Sequence, residues 1–351
     1  MIRVKIALLN DTHWSARGDS QIFLDYFMKF FDEVFFPYIK EHNIKTIIHA
    51  GDFMDRRKFV NFNSLHQVRT RFIDKLHKNN IEMHCVLGNH DVYYRNTNRV
   101  NSLQELFYND MIIYEEPQVV NFDGLNIALL PWVNKDNYDE SINFIKTANA
   151  PILIGHLELD GYHVMRGIEY KGGMDPNLFR RYEKVLSGHF HCRQERDNIH
   201  YLGTQYQITF SDLHEQKGFH VLDTETREVE FINNPSRMFL ELNYNDKNKL
   251  PELDKLDFTN LKDTYVRVVI ENKNHPYLFE RFIDKLYDVG VAKITIVEEA
   301  LDILDDDEEL VDLAQDTVTL INNEIEFIDE VKDKARMKKL IKDLYMESLS
   351  L

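Results

Sequence analysis

The first two hundred residues predict an α/β fold, and three observations carry that expectation. Short apolar runs rich in Val, Ile and Leu recur along the segment, stretches with apolar residues at three-to-four spacing separate them, and each run ends in a polar cluster holding Asp, Asn or His. Runs this short read as buried strands, whereas the three-to-four spacing is that of a helix with one apolar face. Strands alternating with helices make an α/β domain, and its reactive groups collect beyond the carboxyl ends of the strands.

Taken in order, the predicted strands are Val4–Leu9, Thr46–Ala50, Glu82–Leu87, Leu125–Leu130, Ile152–Ile154 and Lys184–Leu186. The principal helices fall at 21–41 and 64–79. After Asn233-Asn234-Pro235, a turn-forming joint, the pattern changes. Tyr265–Ile270, Tyr277–Val289 and Ala292–Val297 read as strand, helix and strand, with Gly290 as the helix stop. A large α/β domain over 1–235 and a small β-α-β unit over 236–299 are therefore expected. An acidic tether follows at 300–323, then a helical segment at 324–351 whose apolar positions include Ile325, Ile328, Val331, Leu340, Ile341 and Leu344.

Composition narrows the class. With 43% hydrophobic residues the chain can build a sizeable core, and its two cysteines, Cys85 and Cys192, exclude a disulfide framework. The apolar run before Asp11 is too short for a signal peptide or membrane span, so a cytoplasmic protein is expected. The net charge of -17 argues against a nucleic-acid partner only at first sight. Between Glu298 and Glu330 lie 14 acidic residues and no Lys or Arg; elsewhere 42 basic residues face 45 acidic ones.

Five clusters stand at strand ends: Asp11-Thr12-His13, Gly51-Asp52, Gly88-Asn89-His90-Asp91, Gly155-His156 and Gly188-His189-Phe190-His191. Their oxygen and imidazole donors suit first-row divalent metals. The D-x-H and H-x-H spacings would put two ligands on one side of an extended segment. Glycine before four of the clusters would let the chain turn off its strand. Each cluster alone reads as an ordinary turn; the ordered set does not. His42, His66, His77, His84, His163 and His200 are expected to be surface or satisfied core residues. Cys192 is expected to be a buried, inert thiol.

The ordered motifs D-x-H, G-D-x-x-D, G-N-H-D, G-H and G-H-x-H are similar to those of the calcineurin-like metallophosphoesterases. Within them the chain resembles the SbcD-type DNA repair nucleases, and most of all the nuclease subunit of phage recombination endonucleases. The likeness covers about residues 1–300, with Leu130-Pro131-Trp132 and Tyr201-Leu202-Gly203-Thr204 as further matches. It implies a four-layer α/β/β/α sandwich, a capping unit that positions DNA, and a C-terminal helical segment.

It also implies a site with two metals, usually Mn²⁺, with Fe²⁺, Mg²⁺ and Zn²⁺ accepted by the same donors. Asp11, His13 and His191 would hold one ion, Asn89, His156 and His189 the other, and Asp52 would bridge them. His90 would contact the scissile phosphate, with Asp91 bonded to its other ring nitrogen. The implied activity is DNA exonuclease and endonuclease action on double-strand ends and single strands. The implied partners are DNA and an SbcC-type, SMC-like ATPase docked on 324–351, with a homodimer formed near 63–79 and 99–109; a helix of 324–346 packed on the chain's own core is the equal alternative to that docking. Arg17, Arg56 and Arg95, with Arg57, Lys58, Arg99, Arg166 and Lys171, are candidate phosphate contacts.

Two departures from the family pattern stand out. Trp14-Ser15 replaces its usual Leu-Gly, and Trp14 is expected to pack rather than stack on a base. Asp55-Arg56 resembles the phosphate-gripping pair of protein phosphatases, so a phosphoprotein or small phosphodiester is the alternative substrate. A DNA-binding scaffold without catalysis is the third reading.

Overall fold

The computed structural model describes residues 4–165, 167–247 and 253–298, together with 334, 336 and 337. Arg166, the expected tether and all but three positions of the expected helical segment lie outside them.

Two six-stranded sheets form the body. In the first, Lys5–Leu9, Thr46–His49, Glu82–Val86 and Ile112–Tyr114 run parallel, Gly218–Asp223 pairs antiparallel with Lys5–Leu9, and Val229–Asn233 pairs antiparallel with Gly218–Asp223 at the edge. In the second, Leu125–Leu130, Ile152–His156, Lys184–Gly188 and Ile199–Tyr201 run parallel, with Gln118–Phe122 and Gln194–Arg196 antiparallel at the two edges.

The period-two alternation of side chains decides the layering. Ile6, Leu8, Ile48 and Val86 of the first sheet share one buried cluster with Ile127, Leu129, Ile154 and Leu186 of the second, so these faces pack on each other. Ala7, Leu9, Ile47, Met83 and Cys85 point the other way, onto helices that supply Phe23, Phe27, Phe30, Phe31 and Phe72. On the far side of the second sheet, Ala128, Leu130, Leu153 and Val185 pack with Ile145 of the Tyr138–Thr147 helix. Strands buried on both faces need continuous apolar runs, which is how they read in the sequence. The result is the four-layer α/β/β/α sandwich.

The helix expected over 21–41 runs without a break but widens to π geometry at Phe31–Phe35. The helix expected over 64–79 begins earlier, at Phe62, and widens at Arg69–Ile73. Tyr265–Asn272, Pro276–Val289 and Lys293–Val297 form the expected β-α-β unit. A third strand, Phe239–Asn245, lies parallel to Tyr265–Asn272 and was not expected. Its sequence alternates apolar and polar residues, the mark of a half-exposed strand rather than of the buried strands before it.

This small sheet has its own apolar cluster around Val266, Val268, Phe282 and Leu286. It is also stitched to the body. Phe239 packs on Phe23 and Phe210, and Gln207 Oε1 accepts the N–H groups of Met238 and Phe239, each at 2.9 Å. Residues up to Ile296 form one compact unit, and a second begins at Val297. In that second unit Lys334, Arg336 and Met337 are helical.

Candidate metal centre

The carboxyl ends of five parallel strands deliver the clusters. Asp11, His13, Asp52, Asn89, His156, His189 and His191 are all buried. Donor atoms of Asp11, His13 and His191 lie within 4.8 Å of one another, and so do those of Asp52, His156 and His189. His13 Nε2 is 3.1 Å from His191 Nε2. Asn89 Oδ1 sits 2.9 Å from His156 Nε2 and 3.0 Å from His189 Nδ1. Asp52 Oδ2 stands between the groups, 3.8 Å from His13 Nε2 and 3.2 Å from His156 Nε2.

The local backbone differs from the expectation for D-x-H. The strand ends at Leu9, and Asp11 and His13 both adopt left-handed φ values, 46° and 43°. Asp52 and His189 do so too, at 55° and 91°. Such conformations cost energy for residues with a Cβ and cluster where a site dictates side-chain direction. Here the Asp11 N–H donates to Gly51 O at 2.9 Å and the His13 N–H to Asp52 O at 3.2 Å, which ties the first loop to the second.

The glycines also act differently. Gly51 has the left-handed φ expected of a turn, 90°. Gly88 instead is required by close approach: a Cβ there would lie 2.1 Å from Asp52 Oδ1.

The donors fit divalent ions. Asp52 Oδ2 is buried without a hydrogen-bond partner, and two imidazole nitrogens face each other beside two buried carboxylates. Among these side chains there is no thiolate, so the set is one for hard or borderline first-row cations. The electrostatics agree. Burial raises the Asp52 carboxyl, but the charges of His156, His90 and His13 outweigh it and hold the group well below the usual range. Burial lowers the His13 imidazolium, yet its hydrogen bond to Asp55 and the charges of Asp52, Asp55 and Asp11 carry it up to about 9. His156 is likewise lowered by burial and carried up to about 9, chiefly by Asp52.

His90 stands beside the two groups, its ring centroid 4.9 Å from that of His13. Its Nδ1 lies 2.5 Å from Asp55 O, and its Nε2 is buried without a partner. The expectation that Asp91 bonds His90 is corrected here. The Asp91 carboxylate turns away and accepts four backbone N–H groups, from Gly88, Asp52, Phe53 and Met54, at 2.9 to 3.1 Å. A carboxylate one residue after the histidine cannot reach its ring when four amides claim it.

The candidate phosphate contacts are scattered. Arg56 pairs with Asp19 at 3.1 Å, and Arg17 lays its guanidinium over Phe23 and Phe239. Arg95 is exposed on the loop that follows Asp91. Trp14 is fully buried and packs with Phe31 and Phe72, as expected. Cys192 is half-buried rather than buried; burial and Glu215 push its thiol up to about 12.

Three supporting residues were not expected. Asp55 Oδ1 lies 3.2 Å from His13 Nδ1, and the G-D-x-x-D motif held the signal for it. His49 Nε2 meets Thr12 Oγ1 at 3.0 Å inside the D-x-H loop. Lys217, fully enclosed with Asp212 and Glu215, donates to His191 O at 2.9 Å. Neither of the last two has a local signature, because their partners lie far away in sequence.

Comparison with known proteins agrees with this geometry. The calcineurin-like phosphoesterase family model matches residues 4–193. Exonuclease subunit 1 of Enterobacteria phage T4 is 32% identical over 354 residues, spanning 98% of this chain and 99% of that protein. The SbcD component of the SbcCD nuclease of Staphylococcus saprophyticus is 23% identical over 67% of this chain, and that of Staphylococcus epidermidis 25% over 56%. The match spans 60% and 57% of those two proteins. With the matched segment carrying every ligand-type cluster, the chain belongs to the calcineurin-like phosphoesterase family.

Proposed function

We propose that the chain is the nuclease subunit of an SbcCD-like recombination and repair complex, hydrolysing DNA phosphodiesters at a two-metal site. The observation that carries the reading is the convergence of seven buried ligand-type side chains, Asp52 among them, with His90 Nε2 unpartnered beside them. Likeness to a phage exonuclease subunit over nearly the full length of both chains supports DNA as the substrate.

In this reading Asp11, His13 and His191 hold one Mn²⁺, Asn89, His156 and His189 hold the other, and Asp52 serves both. Ions so placed supply Lewis acidity and bring a bound water's pKa towards neutrality. His90 contacts the scissile phosphate. Its Nδ1–H is committed to the Asp55 carbonyl, so the proton it exchanges with the leaving oxygen is the one on Nε2. Asp91 acts by position: its four amide bonds hold the Gly88–Asp91 loop to the Asp52–Met54 loop, and so hold His90 near Asp52.

Residues 236–299 act as the cap that lays DNA over the site, and 324–351 dock on an SMC-like ATPase. The chain pairs with a second copy through 63–79 and 99–109. Phe62, 86% exposed immediately before the first segment, and Tyr108, 63% exposed on the second, support that surface.

Purified chain with Mn²⁺, end-labelled duplex and single-stranded DNA, and a phosphopeptide in parallel tests the substrate class. DNA cleavage that is absent from Asp52→Ala is the expected result. Phosphopeptide turnover without DNA cleavage overturns it.

A further inference from the structure

Beside His156 lies a cavity of about 250 Å³ to which none of the roles above assigns a use. Trp132, Tyr138, Met174, Glu158 and His156 of the ligand cluster are among its lining residues. The Trp132 ring lies 5.9 Å from that of His156 and 5.4 Å from that of His189.

The walls are held in place. The Trp132 N–H donates to Leu87 O at 2.8 Å, and its carbonyl accepts from Asn98 at 3.1 Å and Asn137 at 3.0 Å. The Met174 N–H donates to Glu158 O at 2.9 Å. A Cβ on neighbouring Gly173 would lie 2.5 Å from that same oxygen, so only glycine lets this stretch press so close.

We propose that this cavity is a nucleobase subsite, taking the base of the nucleotide whose phosphate sits at the metal cluster. The inference rests on the phosphodiesterase reading above and deepens it. A group bonded to a phosphate at His156 has this cavity next to it. Every base has a π face, and aromatic walls bind such faces whatever the sequence; a thioether in the same lining adds favourable sulfur–ring contact.

Charge and size exclude other occupants. The Glu158 carboxylate in the lining, 3.6 Å from His189 Nε2, repels a second phosphate. The volume falls below the roughly 300–1,000 Å³ of pockets for drug-sized ligands, leaving room for one ring system and not a base pair. The base must therefore leave its stack, which favours single strands and frayed ends.

The test compares full-length wild-type, Tyr138→Ala and Met174→Trp with Mn²⁺. The substrates are the thymidine 5′- and 3′-p-nitrophenyl phosphates and methyl p-nitrophenyl phosphate, which has no base. The expected result is that wild-type kcat/KM for the better thymidine ester exceeds that for the methyl ester, and that the ratio falls about tenfold in each variant. The ratio cancels any general loss of activity. Should a variant fail to fold, wild-type fluorescence decides. Only two tryptophans are present, and Trp14 is fully buried, so thymidine 5′-monophosphate should quench the Trp132 emission where inorganic phosphate does not. Unchanged ratios, or equal quenching by phosphate, overturn the subsite while leaving the phosphodiesterase reading intact. Turnover of none of the three esters by the wild type overturns that reading and the subsite with it.

Discussion

The Asp91 carboxylate accepts the backbone N–H of Asp52 at 2.9 Å, so one buried acid fixes the peptide that presents the other. Asp52 in turn accepts the His90 N–H at 2.7 Å through Oδ1 and leaves Oδ2 facing two imidazoles. The chain thus folds two loops around a pair of carboxylates, one facing amides and the other facing ligands.

Asp91→Asn should be strongly destabilising, because an amide puts an N–H donor against amide donors. Loss of one or two charge-assisted bonds with the remaining N–H groups buried costs about 3 kcal/mol. Denaturant unfolding of the metal-free chain measures this directly. A loss within experimental error would mean the two loops are held by other contacts.

His90→Ala should separate binding from turnover. Although His90 lies within 4.8 Å of donor atoms of His13 and Asp55, the proposed ligand set leaves it out, so calorimetric Mn²⁺ affinity should stay near wild type. The rate on DNA should fall by about 10²–10⁴, the usual worth of a positioned acid or base. Equal loss of metal affinity would instead make His90 a ligand.

Metal uptake should release protons. His13 and His156 are both carried up to about 9, so at neutral pH the metal-free chain holds them charged, and an ion binds only the neutral ring. Raised pKa values mean that affinity climbs as pH rises towards about 9 and is lost progressively below it. Titration in buffers of differing ionisation enthalpy should show release approaching two protons at pH 7. Release of none would contradict the charged state assigned to both rings.

Phe62→Glu should leave the metal site intact and reduce self-association. An exposed phenylalanine of this size is a frequent interface anchor, and a carboxylate at its place is costly to bury. Sedimentation velocity should show a dimer for wild type and a monomer for the variant. Identical sedimentation places the contact elsewhere or removes it.

The strands and the ligand-type side chains were legible because both are local. Buried parallel strands write continuous apolar runs, as at Leu125–Leu130, and the polar residues just after them mark the reactive edge. What depends on distant partners was not legible. The left-handed turns at Asp11 and His13 follow from amides tied to Gly51 and Asp52, and nothing in D-x-H announces them. Asp91 reads as the natural companion of His90 until the loop at Phe53 and Met54 is brought against it. Phe239–Asn245 lacks the continuous apolar run of the buried strands, because every second side chain from Glu241 to Asn245 is polar, as suits a strand with one open face.

A Mn²⁺ titration followed by electron paramagnetic resonance, on wild type and on Asp52→Asn, tests the bridging role of Asp52 most directly. Wild type should bind two ions per chain and give the signal of a magnetically coupled pair, which Asp52→Asn abolishes because a neutral amide cannot offset the repulsion between two cations. A single bound ion, or two uncoupled ions unaffected by Asp52→Asn, would contradict it.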